Sequence, residues 1–294
     1  MSHVIARLPE PRLRALEDAY GAAVAAKRRQ VLLGGLILAA LVGLSAWAGE
    51  VDLAKFFANL WRFPSYIGDI VPTLRLAHLG EDLAEWYWGL GYWLRLMGET
   101  LLIAYLGTML GGLCAISLCF LAAANLSRSA RVRWLVRRVL EFCRTVPEIV
   151  FALIFVAAFG LGPVPGVLAI AIHTTGALGK LFSEVVENID MKPVEGVSAT
   201  GATWLETVRF AVLPQVLSNF ASYGLLRFEI NVRGAAVMGF VGAGGIGQDL
   251  IESIRKFYYS DVSAILLIII ATVMVIDLAT ERLRHALIGM ERRS

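Results

Sequence analysis

Nowhere does this sequence contain a G-x-x-x-x-G-K-[ST] phosphate loop, so it lacks the lysine and hydroxyl with which such loops hold a nucleotide and its magnesium. Cysteine is scarce: Cys114, Cys119 and Cys143 lie in or beside apolar segments without a C-x-x-C pair, which reads as free buried thiols rather than a metal or redox centre. Four histidines and scattered carboxylates form no ligand cluster or nucleophile–base set, which argues against a membrane enzyme. The net charge of +3 is too small for the electrostatic footprint of a nucleic-acid binder. No internal repeat is visible, and with it the inverted-repeat signature of a stand-alone secondary transporter is missing. Charge itself is sparse, at 17% of residues against about 25% in soluble domains.

Apolar residues fill the space, at 57% of the chain with a mean hydropathy of +0.68. They concentrate in long uncharged runs, the pattern of a multi-spanning membrane protein. The first run, 31–48, follows Lys27-Arg28-Arg29 and is too long for a cleaved signal core, so it reads as a signal anchor. A second, 97–124, contains Gly107-x-x-x-Gly111, a spacing that lets helix backbones approach closely. The next apolar stretch is broken by "GLGPVPG" at 160–166, giving spans at 140–159 and 167–182. Two more follow, at 214–241 and 262–279. The expectation is an all-α polytopic membrane protein with about six transmembrane helices.

Arg128, Arg131, Arg133, Arg137 and Arg138 separate the second and third spans, and Arg282, Arg284, Arg292 and Arg293 follow the sixth. The positive-inside rule puts these segments and both termini in the cytoplasm. Residues 49–95 then face outward, carrying Trp61, Trp86, Tyr87, Trp88, Tyr92 and Trp93 as an interfacial belt. Ahead of the first span, Leu13, Leu16, Tyr20 and Val24 share one face of an amphipathic surface helix.

Alternation also makes 183–213 cytoplasmic, although its charge is acidic. Within "VEGVSATGATWLETVRFAVLPQ", Gly201 permits a sharp turn between two short helices. Trp204, Leu205, Val208 and Val212 form an apolar face on the second, which calls for a partner surface unless the segment is a connector lying on the membrane.

This loop resembles the coupling loop of permease subunits of binding-protein-dependent ABC importers. Their pattern is E-A-A, three residues, Gly, nine residues, Ile, one residue, Leu-Pro. Glu195, Gly201, Leu213 and Pro214 stand at matching positions, while Gly196-Val197 replaces the alanines and Ala211 the isoleucine. Residues 213–250, above all "RFEINVR" and "GFVGAGGIGQ", are similar to phosphonate-type (PhnE) permeases, as is "GETLLIAYLGT" at 98–108. The resemblance covers about residues 98–279. It implies a type I importer (MetI-like) permease fold and an ATP-driven uptake system in the bacterial inner membrane. In that system a PhnC-type ATPase dimer docks on the loop (Glu195, Gly201, Ala202, Trp204, Leu213, Pro214), a PhnD-type periplasmic protein delivers substrate, and a second permease copy completes the pore. ATP and magnesium would belong to the ATPase, and no cofactor to this chain. The implied division is an N-terminal anchor and outer segment at 1–96, a permease domain at 97–281 with its coupling loop at 190–213, and a tail at 282–294. Phosphonate, phosphite and phosphate esters remain open as substrates, as does a methionine-type solute, and an ATP-independent secondary transporter is the rival class.

Ionisable residues within spans cost about 2.5–3.5 kcal/mol at a helix centre, so each needs a partner or a wet cavity. Glu229 and Arg233 are four residues apart and can pair. Arg227 has no acid on its own helix face, where Tyr223 and Asn231 are its neighbours, and lies about 20 Å along the helix from Pro214. Two readings stand. Arg227, with Glu229, Asn231 and Arg233, lines a translocation path where a guanidinium meets an oxyanion with two hydrogen bonds. Alternatively, it makes an interhelical salt bridge, to Glu99 or Glu148, that only holds the bundle. Glu141, Arg144 and Glu148 read as self-paired around a kink at Pro147, and Lys180 as paired with Glu184. His173, Thr174 and Thr175 read as interhelical hydrogen-bonding groups.

Gly242, Gly244 and Gly247 form a literal G-x-G-x-x-G, with Asp261 nearby. A dinucleotide site needs a preceding strand, and here a helix-length run precedes, so that reading fails. Gly242, Gly244, Gly245 and Gly247 read instead as a tight turn at the outer mouth, a periplasmic gate, with Asp261 capping the approach to the sixth span.

Overall fold

The computed structural model describes the backbone of residues 10–291 and the side chains of 14–286. The side chain of Leu13, the residues before Glu10, and Arg292 and Arg293 of the tail lie outside the described residues. The chain divides into two compact units between Tyr66 and Ile67. Among the described residues the structure is helical, without a strand.

In the first unit, α1 (Glu10–Ala48) runs unbroken for 39 residues. The expected surface helix and first span are therefore one rod, because no proline interrupts the sequence between Pro11 and Pro64. Leu16 and Tyr20 are exposed on it. A short α2 (Leu53–Asn59) follows, its N-terminus capped by the Asp52 side chain, which accepts from the Lys55 backbone N–H at 2.9 Å.

α3 (Arg62–Ile70) crosses the boundary between the units. In the second unit α4 (Leu79–Trp86) is anchored by Asp82, whose carboxylate accepts from the Arg75 guanidinium and from the Arg75 backbone N–H, both at 2.7 Å. α5 (Leu90–Ala122) then packs chiefly on α8 (Pro163–Glu187). The small-residue spacing explains the contact. A Cβ on Gly107 would stand 2.5 Å from Ile170, and one on Gly111 2.6 Å from the Ala171 carbonyl, so larger residues would push the helices apart.

The third span, expected at 140–159 with a kink at Pro147, is bent far more sharply than a kink. α6 (Ala130–Thr145) and α7 (Glu148–Phe159) meet at Val146-Pro147 with an 85° bend. Proline breaks the hydrogen-bond ladder there, and α7, with 12 residues, is about 18 Å long, short of a ~30 Å hydrocarbon core. The other boundary holds: Gly160 and Gly162 end α7, and Pro163 opens α8 at a position where its missing N–H costs nothing.

α9 (Met191–Ala199), α10 (Trp204–Thr207) and a π-helical turn at Val208–Val212 lead into α11 (Leu213–Met238). After a glycine-rich break come α12 (Ile246–Arg255), bent 48° from α11, and α13 (Tyr259–Glu291). Sequence reading had the glycines lead directly to the last span, but the amphipathic α12 stands between. By length and composition four described helices can cross a membrane, and up to six if each bent pair counts as one span.

Two apolar clusters hold the second unit. One joins α5, α7, α8, α11, α12 and α13 around Trp93, Ile170, Val232, Ile246 and Ile265. The other joins the far ends of α5, α8 and α11 to α9 and the π turn, with Phe182 stacked on Phe220 at 4.0 Å between ring centres.

Candidate functional site

Three places carry the residues singled out from sequence. The first is the loop around Gly201. Its φ is +82°, a left-handed conformation in which a Cβ is disfavoured, and the space around it is open. The turn joins α9 to α10, whose start is fixed by a capping box: Glu206 accepts from the Thr203 backbone N–H, while the Thr203 hydroxyl accepts from the Glu206 N–H. Glu195 and Pro214 are exposed, and Ala202 and Leu213 half-buried. The expected apolar face is divided. Val208 and Val212 are buried in the chain's own core, and the Trp204 indole N–H donates to the Leu126 carbonyl at 3.2 Å. Leu205 (71% exposed) points outward, joined by Phe210 (63%). The π turn inserts an extra residue into the helical repeat, so the sequence periodicity does not carry through from α10 to α11.

The second place lies between α5, α7, α8 and α11. Asn231, wholly buried, donates to the Thr108 hydroxyl at 2.8 Å and the Thr174 hydroxyl at 2.9 Å. Thr174 also accepts from Arg227 Nε at 3.4 Å, and Arg227 Nη2 stands 3.7 Å from Glu148 Oε2. The Arg227 side chain is only 12% exposed. The Asn231 carbonyl oxygen is buried with no partner among the described residues. Of the two acids considered for Arg227, Glu148 faces it, while Glu99 accepts from the Gly245 N–H at 3.3 Å.

Arg233 does not join Arg227. It pairs with Glu229 at 2.5 Å, as the spacing required, and turns to Asp277 on α13 at 3.4 Å. Glu229 also faces Thr280 and Arg284. Asp277 is the single ionisable residue between Val262 and Ala279, and its isolation was the overlooked signal that it needed a cation on another helix. Thr108 carried no such signal, since a threonine in an apolar helix commonly bonds only its own backbone, as Thr108 also does through Ala104.

Other expected pairs are redistributed. Glu141 pairs with Arg138 at 2.7 Å, and Glu148 with Arg227, so the self-paired cluster on the third span is not formed. An 85° bend carries Glu148 away from the face of α6. Lys180 and Glu184 do pair, at 2.8 Å. Thr174 bonds across helices, and His173 Nδ1 lies 3.2 Å from the Val146 carbonyl on the α6–α7 junction.

The third place is the glycine break. Gly242, Gly244 and Gly245 have φ of +79°, +84° and +79°. A Cβ on Gly244 would stand 2.9 Å from Glu99 Oε1 and 3.0 Å from Pro163 Cα, and one on Gly247 would collide with the Ala236 carbonyl. The backbone here is held from several sides: the Gly162 N–H donates to the Gly242 carbonyl at 3.0 Å, and the Ile246 N–H to the Thr100 hydroxyl at 2.9 Å. Beyond it, indole N–H groups tie three tryptophans to the bundle. Trp93 donates to Asp249 at 2.8 Å, Trp88 to Asp261 at 3.0 Å and Trp86 to the Ser263 hydroxyl at 3.0 Å. Asp261 thus lies in the first turn of α13, as a helix-start acid, and also holds Trp88.

The described residues thus form an all-helical bundle with four to six candidate membrane spans and polar groups clustered at helix crossings, the class of a polytopic membrane protein. Residues 107–288 match the family described as the binding-protein-dependent transport system inner membrane component, and the chain belongs to that family. It is 37% identical over 262 residues, 87% of this chain and 93% of the relative, to the phosphite transport system permease protein PtxC of Stutzerimonas stutzeri. It is 54% identical over 117 residues, 40% of this chain and 96% of the relative, to the putative cryptic phosphonate transport system permease protein PhnE2 of Escherichia coli (strain K12). In fold it is similar to a chain of the inward-facing MetNI methionine ABC transporter, with a TM-score of 0.58 and 20% identity, covering 66% of this chain and 95% of that one.

Proposed function

We propose that the chain is the transmembrane subunit of an ATP-driven importer that moves a phosphorus oxyanion, of the phosphonate or phosphite class, into the cytoplasm. The observation that carries the reading is the identity to a phosphite permease across 87% of the chain. The buried guanidinium of Arg227 supports it. An arginine desolvated among hydroxyls, with its one acid at 3.7 Å, keeps hydrogen-bonding capacity for a passing oxyanion. Thr174, itself bonded by Asn231, orients it.

In this reading the chain sits in the bacterial inner membrane with both termini cytoplasmic. Residues 1–96 anchor it, 97–281 form the permease domain and 282–294 a cytoplasmic tail. An ATPase dimer of the PhnC type binds ATP and magnesium and engages the loop around Gly201 through Glu195, Leu205 and Phe210. A PhnD-type periplasmic protein delivers the anion to the face shaped by Gly242–Gly247, and a second copy of the chain completes the pathway. Closure of the ATPases on ATP moves the loop, and the bundle alternates between inward and outward openings.

The test is uptake of labelled phosphite, methylphosphonate and methionine by cells carrying the permease with its cognate ATPase and binding protein. Oxyanion uptake that vanishes with the ATPase is the expected result. Uptake that persists without the ATPase, or that follows methionine, overturns it.

A further inference from the structure

α6 buries Leu140 against α8 but also turns apolar side chains outward. Its inward side carries cations: Arg137 donates to the Ala122 carbonyl at the end of α5 at 2.8 Å and pairs with Glu187, and Arg133 reaches the Ala124 carbonyl. Its outward side carries Trp134 (62% exposed), Leu135, Val139 and Phe142. Two exposed arginines, Arg128 and Arg131, flank the start of this apolar face, and neither has an ion-pair partner among the described residues. No acid occurs between Asn125 and Leu140. Two apolar depressions open here. One of about 200 Å³ lies between Leu121, Leu126, Val132 and Trp204, with Arg128 on its rim. The other, of about 500 Å³, is a shallow, open hollow on the face of α6 at Ala130, Trp134 and Leu135, beside Arg131.

We propose that this face binds an anionic phospholipid of the leaflet that borders the coupling loop, with its phosphate between Arg128 and Arg131 and its acyl chains in the two depressions. Each part of such a lipid meets its complement. The phosphate takes charge-assisted hydrogen bonds from guanidinium groups, the indole of Trp134 suits the headgroup boundary, and the depressions accept hydrocarbon. A soluble anion would leave the apolar face exposed, and a zwitterionic lipid would bring a second charge that the two arginines repel. Trp204, on α10, lines the first depression and bonds to Leu126 beneath it, so the lipid would touch the element proposed to receive the ATPase stroke.

Native mass spectrometry of the full-length chain, released from nanodiscs of phosphatidylglycerol or of phosphatidylethanolamine, tests this without measuring transport, so its failure leaves the importer reading standing. The expected result is retained phosphatidylglycerol, lost about tenfold in R128Q/R131Q and kept in R128K/R131K, with no displacement by glycerol 3-phosphate. Bromine-labelled phosphatidylglycerol should quench fluorescence less in W134F than in the parent chain. Equal retention of both lipids, an unchanged glutamine variant, or displacement by glycerol 3-phosphate overturns the proposal. If the glutamine variant does not purify, the W134F quenching result decides alone.

Discussion

Arg227 on α11 and Glu148 on α7 face each other at 3.7 Å across a helix crossing, with the Thr174 hydroxyl on the arginine's other side. The separation is longer than a good charge-assisted hydrogen bond, which falls near 2.7–2.9 Å. The pair neutralises two costly charges without consuming the guanidinium's donors. Replacing the fork by an ammonium separates the two roles. Arg227→Lys retains the charge beside Glu148 but loses planar two-point contact, so oxyanion uptake should fall about tenfold while the level of assembled complex stays the same. Full uptake by the lysine variant would remove Arg227 from the path and leave it a bundle salt bridge. Glu148→Gln strands a buried cation, and the complex should lose thermal stability; breaking buried pairs in this way costs roughly 3–5 kcal/mol.

Asn231 joins α5 to α8 through two hydroxyls. A double-mutant cycle of Asn231→Ala and Thr174→Val, read by unfolding of the purified complex, should return a coupling of about 0.6 kcal/mol, the average for hydrogen bonds between membrane helices. A coupling near zero would show the two residues to be neighbours without an energetic link.

Gly244→Val should abolish assembly or uptake. Its side chain would be forced into a left-handed backbone and against Glu99 and Pro163. Gly112→Ala is the control. There the added methyl meets only Leu178, at 3.8 Å, and expression and uptake should match the parent.

At Gly201 only the backbone objects. A Cβ there meets nothing within 4 Å, and the left-handed φ costs roughly 1–2 kcal/mol. The bundle should therefore fold as before, while uptake per ATP hydrolysed drops. Equal loss of folded protein in Gly201→Val and Gly244→Val would argue that the loop is structural rather than a coupling element.

The segment around Asp82 should respond to acid. Hydrogen bonds from the Arg75 side chain and backbone hold the Asp82 carboxyl below the ordinary aspartate value of about 3.9. A depressed carboxylate stabilises above its unfolded pKa and loses that contribution as the pH falls through the folded one. Proteolytic protection of residues 71–89 should thus be flat from neutral pH to about pH 4.5 and fall below it. The Asp82→Asn variant should show low protection throughout.

Much of the plan was legible along the chain. Apolar runs disclosed the spans because hydrocarbon demands long uncharged helices, and "GLGPVPG" disclosed a boundary because proline and glycine cannot continue one. The pairs Glu229–Arg233 and Lys180–Glu184 followed from helix spacing alone. The 85° turn at Pro147 was read only as a kink, since a proline states that a ladder breaks and says nothing of the direction the chain then takes. The split of the apolar face around Gly201 was hidden because periodicity groups Trp204, Leu205, Val208 and Val212 on one side without saying which of them the bundle covers.

By itself the sequence determined an all-helical membrane protein, a tight turn at Gly201, a crowded glycine break before Ile246 and the absence of a nucleotide-binding loop, because each depends on local backbone chemistry or composition. Only the tertiary structure decided that Glu148 meets Arg227, that Asn231 draws Thr108 and Thr174 together, and that Asp277 receives Arg233. Those partners lie 44 to 123 residues apart in sequence where they bond. Helical periodicity fixes which face a side chain occupies, but the neighbour across that face is chosen by helix packing.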